Sequence, residues 1–107
     1  MLARENRLTS SDDIRQVIRS GKRSSNKFAT IHFVPAVTSQ FAVVTSRAVG
    51  NAVARNLLRR RTKAYLYELL TKSPPVKAVI RYRAGAAELS YQELTSGLAE
   101  LLSRTDR

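Results

Sequence analysis

The residues best placed for chemistry lie between positions 55 and 63, Arg-Asn-Leu-Leu-Arg-Arg-Arg-Thr-Lys. At 100° per residue on a helix, Arg55, Arg59 and Lys63 form an i, i+4, i+8 stripe, and Asn56 and Arg60 form a second row beside it. Like charges at this spacing destabilise a helix by a few tenths of a kcal/mol per pair. A sequence serving stability alone would alternate signs here. Arginine dominates the stripe, and its planar fork matches phosphate oxygens two at a time. One or two charges would read as a solvated helix face, but an unrelieved cluster of this kind reads as a surface for a polyanion.

Groups that could cut a phosphodiester bond are scarce. A protein nuclease needs general acid-base groups or a carboxylate metal cluster. The single histidine, His32, falls in an expected strand without an evident partner. Asp12 and Asp13 are adjacent but suit the positive start of a helix. No metal-ligand spacing or phosphate-binding glycine loop is present. Gly50, ahead of a helix, could hold an anion, but one glycine is a weak signal. No catalytic residue and no protein-bound metal are therefore expected. With no cysteine, disulfides and thiol chemistry are excluded.

The charge distribution agrees with a polyanion partner. The net charge is +11, and no acidic residue occurs between Ile14 and Tyr67, a stretch holding eleven basic ones. The flanking segments are nearly neutral. Such self-repulsion opposes folding unless a polyanion relieves it. At 107 residues and 43% hydrophobic, the chain fits one globular RNA-binding domain, residues 1–107. No apolar run could span a bilayer and the N-terminus lacks a signal-peptide core, so a cytoplasmic location is expected. Arg104 lies outside the basic half and is expected to stay clear of the partner.

The elements follow from pattern. Ser10 and Asp13 make a capping box for a helix over residues 11–20, whose apolar side is Ile14, Val17 and Ile18, with Gly21 ending it. Residues 28–34 and 41–45 read as strands, with a short strand near 23–26 and a hairpin-sized link at 36–40. The long helix spans about 50–72, stopped by Pro74-Pro75. Its expected buried face is Ala54, Leu57, Leu58, Tyr65 and Leu69, which leaves Arg61 awkwardly inside the apolar arc. Residues 76–82 form another strand, and Ser90 with Glu93 caps a last helix carrying Leu94, Leu98, Leu101 and Leu102. The order α-β-β-(β)-α-β-α predicts an α+β fold, a two-layer sandwich with helices on a mainly antiparallel sheet.

Ser46-Arg47-Ala48-Val49-Gly50-Asn51-Ala52-Val53-Ala54-Arg55-Asn56, followed by Arg59-Arg60, resembles the signature of the protein subunit of bacterial ribonuclease P. Asn6-Arg7-Leu8 resembles that family's opening, and Arg83 with Leu89-Ser90-Tyr91 its ending. The resemblance implies a left-handed βαβ crossover, although the general rule favours the right hand. It implies binding to the catalytic RNA of ribonuclease P through Arg47, Asn51, Arg55, Asn56, Arg59, Arg60 and Lys63. It further implies contact with the 5′ leader of precursor tRNA in a cleft between the first helix and the sheet. The enzyme activity would belong to the ribonucleoprotein, an endoribonuclease whose chemistry is done by the RNA with Mg²⁺. No further protein partner is implied.

Two positions depart from the family pattern. Leu57 stands where the second arginine of the helix motif is usual. Ile14, Ile18 and Ile31 stand where the leader cleft usually carries aromatics. Stacking needs a flat π face, so apolar contact with phosphate contacts from Arg15 or Arg19 is the expected substitute; Ile14 and Ile18 fit equally well as plain core. Two other classes remain to compare. A ribosomal or other structural RNA-binding protein would share the charge but not the helix motif. A membrane-surface binder would need the long helix exposed on its apolar side, and the strands give that side a core to join.

Overall fold

A computed structural model describes residues 3–72 and 74–103; Arg104 lies outside them. The first helix, α1 (Ser11–Ser20), starts where expected, with the Ser10 hydroxyl accepting from the Asp13 amide at 3.4 Å. It ends at Gly21, whose backbone is extended rather than left-handed. Glycine is needed there for space: a Cβ would run into the Val17 carbonyl and lie 2.8 Å from that of Phe33.

Four strands follow the predicted order. They are β1 (Lys22–Ser25), β2 (Ala29–Pro35), β3 (Gln40–Val44) and, after α2 (Ala52–Leu69), β4 (Val76–Tyr82). The last helix is α3 (Tyr91–Ser103). The sheet order is β1-β2-β4-β3. The short link at 36–40 therefore does not close a hairpin. β4 inserts between β2 and β3, pairing antiparallel with β2 and parallel with β3. The parallel β3–α2–β4 connection is a βαβ unit, and it leaves β3 at the sheet edge.

Both faces of the sheet are covered, unequally. On one face Ala29, Ile31, Phe33, Ala78, Ile80 and Tyr82 pack with Leu58 and Leu66 of α2 and Leu94, Leu98 and Leu101 of α3. On the other, α1 sets Val17, with Ile14 and Ile18, against Leu8, Ala42, Val79 and Val34. The capping box of α3 forms in both directions: Ser90 N–H donates to Glu93 at 2.9 Å and Glu93 N–H to the Ser90 hydroxyl at 3.1 Å. The Ser90 backbone N–H, helped by the Ser90 side chain, holds the Glu93 carboxyl below its usual range.

α2 is rotated from the expected arc toward Thr62 and Leu66, both fully buried. Thr62 is tolerated there because its hydroxyl donates to the Leu58 carbonyl at 2.7 Å and shares a 2.6 Å hydrogen bond with Tyr82. Burial pushes the Tyr82 phenol well up, so it stays protonated. The rotation moves Leu57 out of the core, to 37% exposed. It also resolves Arg61, which sits at the rim and donates to the Leu89 carbonyl at 3.3 Å.

Candidate nucleic-acid interface

The basic helix is held from its first turn. A turn over residues 46–50, with Val49 N–H donating to Ser46 at 3.0 Å, leads into Gly50 at φ +153°. That left-handed value, and an approach of 3.1 Å to the Ala54 Cβ, require glycine. Asn51 caps α2 by accepting from the Ala54 amide at 2.9 Å. Its side-chain carbonyl is thus committed to the fold, leaving its NH₂ free to meet a ligand. Arg47 stands exposed on the turn.

Along α2 the cations divide into two sets. Asn56 and Arg60 are exposed on the outward side. Arg55, Arg59 and Lys63 are half-buried, beside the buried face rather than far from it. Backbone and side-chain acceptors aim two of them: Arg55 Nε donates to the Asn51 carbonyl at 3.4 Å and Arg59 to Asn56 Oδ1 at 3.2 Å.

Arg59 and Lys63 form one wall of a groove of roughly 260 Å³ along the outer edge of β3. Its apolar floor includes Leu8, Ile14, Ala42 and Val44, and Arg7 lies on the far side. The chain near Arg7 is stitched to the β3 edge. Leu8 N–H donates to Phe41 at 2.9 Å, Asn6 Nδ2 to Ser39 at 2.9 Å, and Gln40 Nε2 to Glu5 at 3.3 Å. Three cations from two segments, the N-terminal stretch and α2, thus surround an apolar trough, and no acidic side chain lines it. Such a trough suits phosphates at its rim and ribose or base surface on its floor. Arg7 was not singled out from spacing, since nothing in periodicity links it to residues more than fifty positions away. The only signal was its place in the family-like Asn6-Arg7-Leu8.

The expected leader residues are dispersed. Ile14 lines the groove and also packs with Val17 and Leu8. Ile18 is half-buried against the same small cluster. Arg15 is exposed and paired with Asp12 at 2.7 Å, and Arg19 shares that outer surface of α1. Ile31 is a correction: it is 0% exposed and packs on the α2–α3 side, away from α1. β2 is buried on both faces, so its pattern gave no parity. The β2 residues that face α1 are Thr30, His32 and Val34. His32 is buried, and that burial, with Arg81 and Arg23 nearby, lowers its pKa from 6.5.

Among the described residues no three His, Asp or Glu side chains gather as a metal site. No helix there is long and apolar enough to cross a membrane.

Comparison with known proteins agrees with this architecture. The sequence model of the family described as Ribonuclease P matches residues 2–106. The ribonuclease P protein component of Clavibacter michiganensis subsp. michiganensis is 37% identical over 111 residues, covering 100% of this chain and 98% of that one. That of Acidothermus cellulolyticus is 33% identical, covering 97% and 91%. The RNase P protein of Staphylococcus aureus superposes with a TM-score of 0.87 at 16% identity, covering 94% of each chain. That of Thermotoga maritima gives 0.81 at 22%, covering 92% and 96%. The two structures speak for the fold, and the sequence matches over nearly the full length speak for descent: this chain belongs to the ribonuclease P protein family.

Proposed function

We propose that the chain is the protein subunit of a bacterial-type ribonuclease P, binding the catalytic RNA and the 5′ leader of precursor tRNA and assisting endonucleolytic removal of the leader. The observation that carries this reading is the groove at the β3 edge, where Arg7, Arg59 and Lys63 surround an apolar floor. Arg47, Asn51, Arg55, Asn56 and Arg60 extend the same basic surface toward the catalytic RNA. Phosphate contacts there position RNA without reading its sequence. The chemistry is assigned to the RNA and its Mg²⁺. In this reading the protein contributes charge and position.

The test is cleavage of precursor tRNA by the catalytic RNA at low Mg²⁺, with and without the protein. Cations from the protein offset phosphate repulsion that Mg²⁺ would otherwise screen, so stimulation is expected and should shrink as Mg²⁺ rises. Absence of stimulation at any Mg²⁺ level would sink the proposal, as would metal-dependent cleavage by the RNA-free protein alone.

A further inference from the structure

Of the three cations around the β3 groove, Arg7 and Arg59 carry guanidinium groups, which keep their charge and are poor nucleophiles. Lys63 differs. Its primary amine can be acylated, and acylation removes the charge. In the run from Arg55 to Lys63 it is the single lysine among four arginines. It is therefore the one position in that run where a covalent change can switch off positive charge by acyl transfer.

The surroundings of Lys63 suit delivery of an anionic acyl donor. Arg59 stands one turn before it on α2, so their Cβ atoms lie about 5–6 Å apart. Arg7 faces both from across the groove, and the floor between them, Leu8, Ile14 and Ala42, is apolar. A small acyl phosphate has the matching parts. Its phosphoryl oxygens fit the guanidinium forks, its acyl chain fits the floor, and its carbonyl carbon then lies on the Lys63 side. Among the described residues no carboxylate pairs with Lys63, so nothing local repels the donor or ties up the amine. Lys72 and Lys77 are placed differently. Glu68 is four residues before Lys72, and Lys77 lines a cavity with Asp13.

We propose that Lys63 is an acylation site served by acyl phosphates seated on Arg7 and Arg59, and that its acylation weakens the hold of the groove on RNA. The Lys63 amine, in its unprotonated form, attacks the acyl carbon. A C–N bond forms and the bond from that carbon to the phosphate oxygen breaks. Inorganic phosphate leaves with the electron pair, and the amine proton passes to solvent. Holding the donor against the nucleophile raises its local concentration. The lost charge then removes one phosphate contact. The acylation stands apart from the proposed function, whereas its effect on RNA binding rests on that reading.

In the experiment the full-length protein is treated with acetyl phosphate, and acetylation of each lysine is followed by peptide mass spectrometry. Lys63 should react faster than Lys72 and Lys77 by roughly fivefold or more, the gain expected from a guanidinium–phosphate contact at a partly exposed site. Arg59→Gln should erase most of that lead without changing the rate at Lys72. Acetic anhydride is neutral and gives the arginines no anion to hold, so with it the lead should vanish. Equal rates at the three lysines with acetyl phosphate overturn the site, and so does a lead that persists with the anhydride or in Arg59→Gln. Lys63→Gln mimics the acylated side chain and should weaken binding to the catalytic RNA roughly tenfold, against about twofold or less for Lys72→Gln. Equal losses from the two variants overturn the effect on RNA. Wild-type protein that binds no catalytic RNA would overturn the proposed function, and the rates at Lys63 would still decide the acylation site.

Discussion

Arg59→Ala separates binding from folding better than other changes on α2. Arg59 faces the groove with Lys63, and its side chain donates a hydrogen bond to Asn56 at the surface. Losing that bond costs little, and repulsion from Arg55 and Lys63, one turn away on either side, is relieved by a few tenths of a kcal/mol per pair. The two effects nearly cancel, so unfolding free energy should change by no more than about 0.5 kcal/mol. Binding should respond differently. A charge-assisted hydrogen bond to phosphate contributes about 1.5–3 kcal/mol, a loss of roughly ten- to a hundredfold in affinity. The assay is filter binding or anisotropy with the catalytic RNA at fixed salt, beside a denaturant melt of each variant. Lys72→Ala is the control, because Lys72 is exposed past the end of α2. Equal losses from Arg59 and Lys72 would mean diffuse attraction and would refute the shaped groove.

Three other outcomes test the packing and the electrostatics. Leu57→Arg should fold with stability within about 0.5 kcal/mol of wild type, because Leu57 is outside the core; a loss of several kcal/mol in a denaturant melt would restore it to the core. Leu66→Ala, at a fully buried site between α2 and the sheet, should cost about 2–5 kcal/mol, a large share of a small domain's stability. The folded state resists protonating His32, through burial and the charges of Arg81 and Arg23. Below the ordinary value of 6.5 the unfolded chain takes up a proton that the folded one refuses, so stability should fall as pH drops through 6.5 toward the lowered folded value. His32→Leu should flatten that slope, and an unchanged slope would contradict the assignment.

Much of this was legible in the sequence because it is local. Ser10, Asn51 and Ser90 each lie where a cap must be, and the capping patterns gave the helix starts to within about two residues. Charge segregation and the motif around residues 46–60 gave the partner class. What was not legible is non-local. The link at 36–40 is short enough for a hairpin, yet β4, more than thirty residues later, takes the place beside β2. The face of α2 was misjudged because Thr62, a polar residue, holds the centre of the buried side through its bond to Tyr82. Ile31 was set on the wrong face because β2 is buried on both sides and nothing local says which side meets α1 and which meets α2 and α3. Arg7 looked like scattered surface charge until its bridge to Phe41 of β3 placed it beside the trough.

The most direct test asks where the RNA lies. The chain has no cysteine, so one introduced thiol carries one photo-crosslinker without background. Thr9→Cys places it on the groove, and Ala99→Cys on the exposed side of α3. With the catalytic RNA and precursor tRNA bound, Thr9→Cys should crosslink RNA strongly and Ala99→Cys little. Equal crosslinking from both, or more from Ala99→Cys, would contradict the claim that the groove between the N-terminal segment, β3 and α2 is the RNA interface.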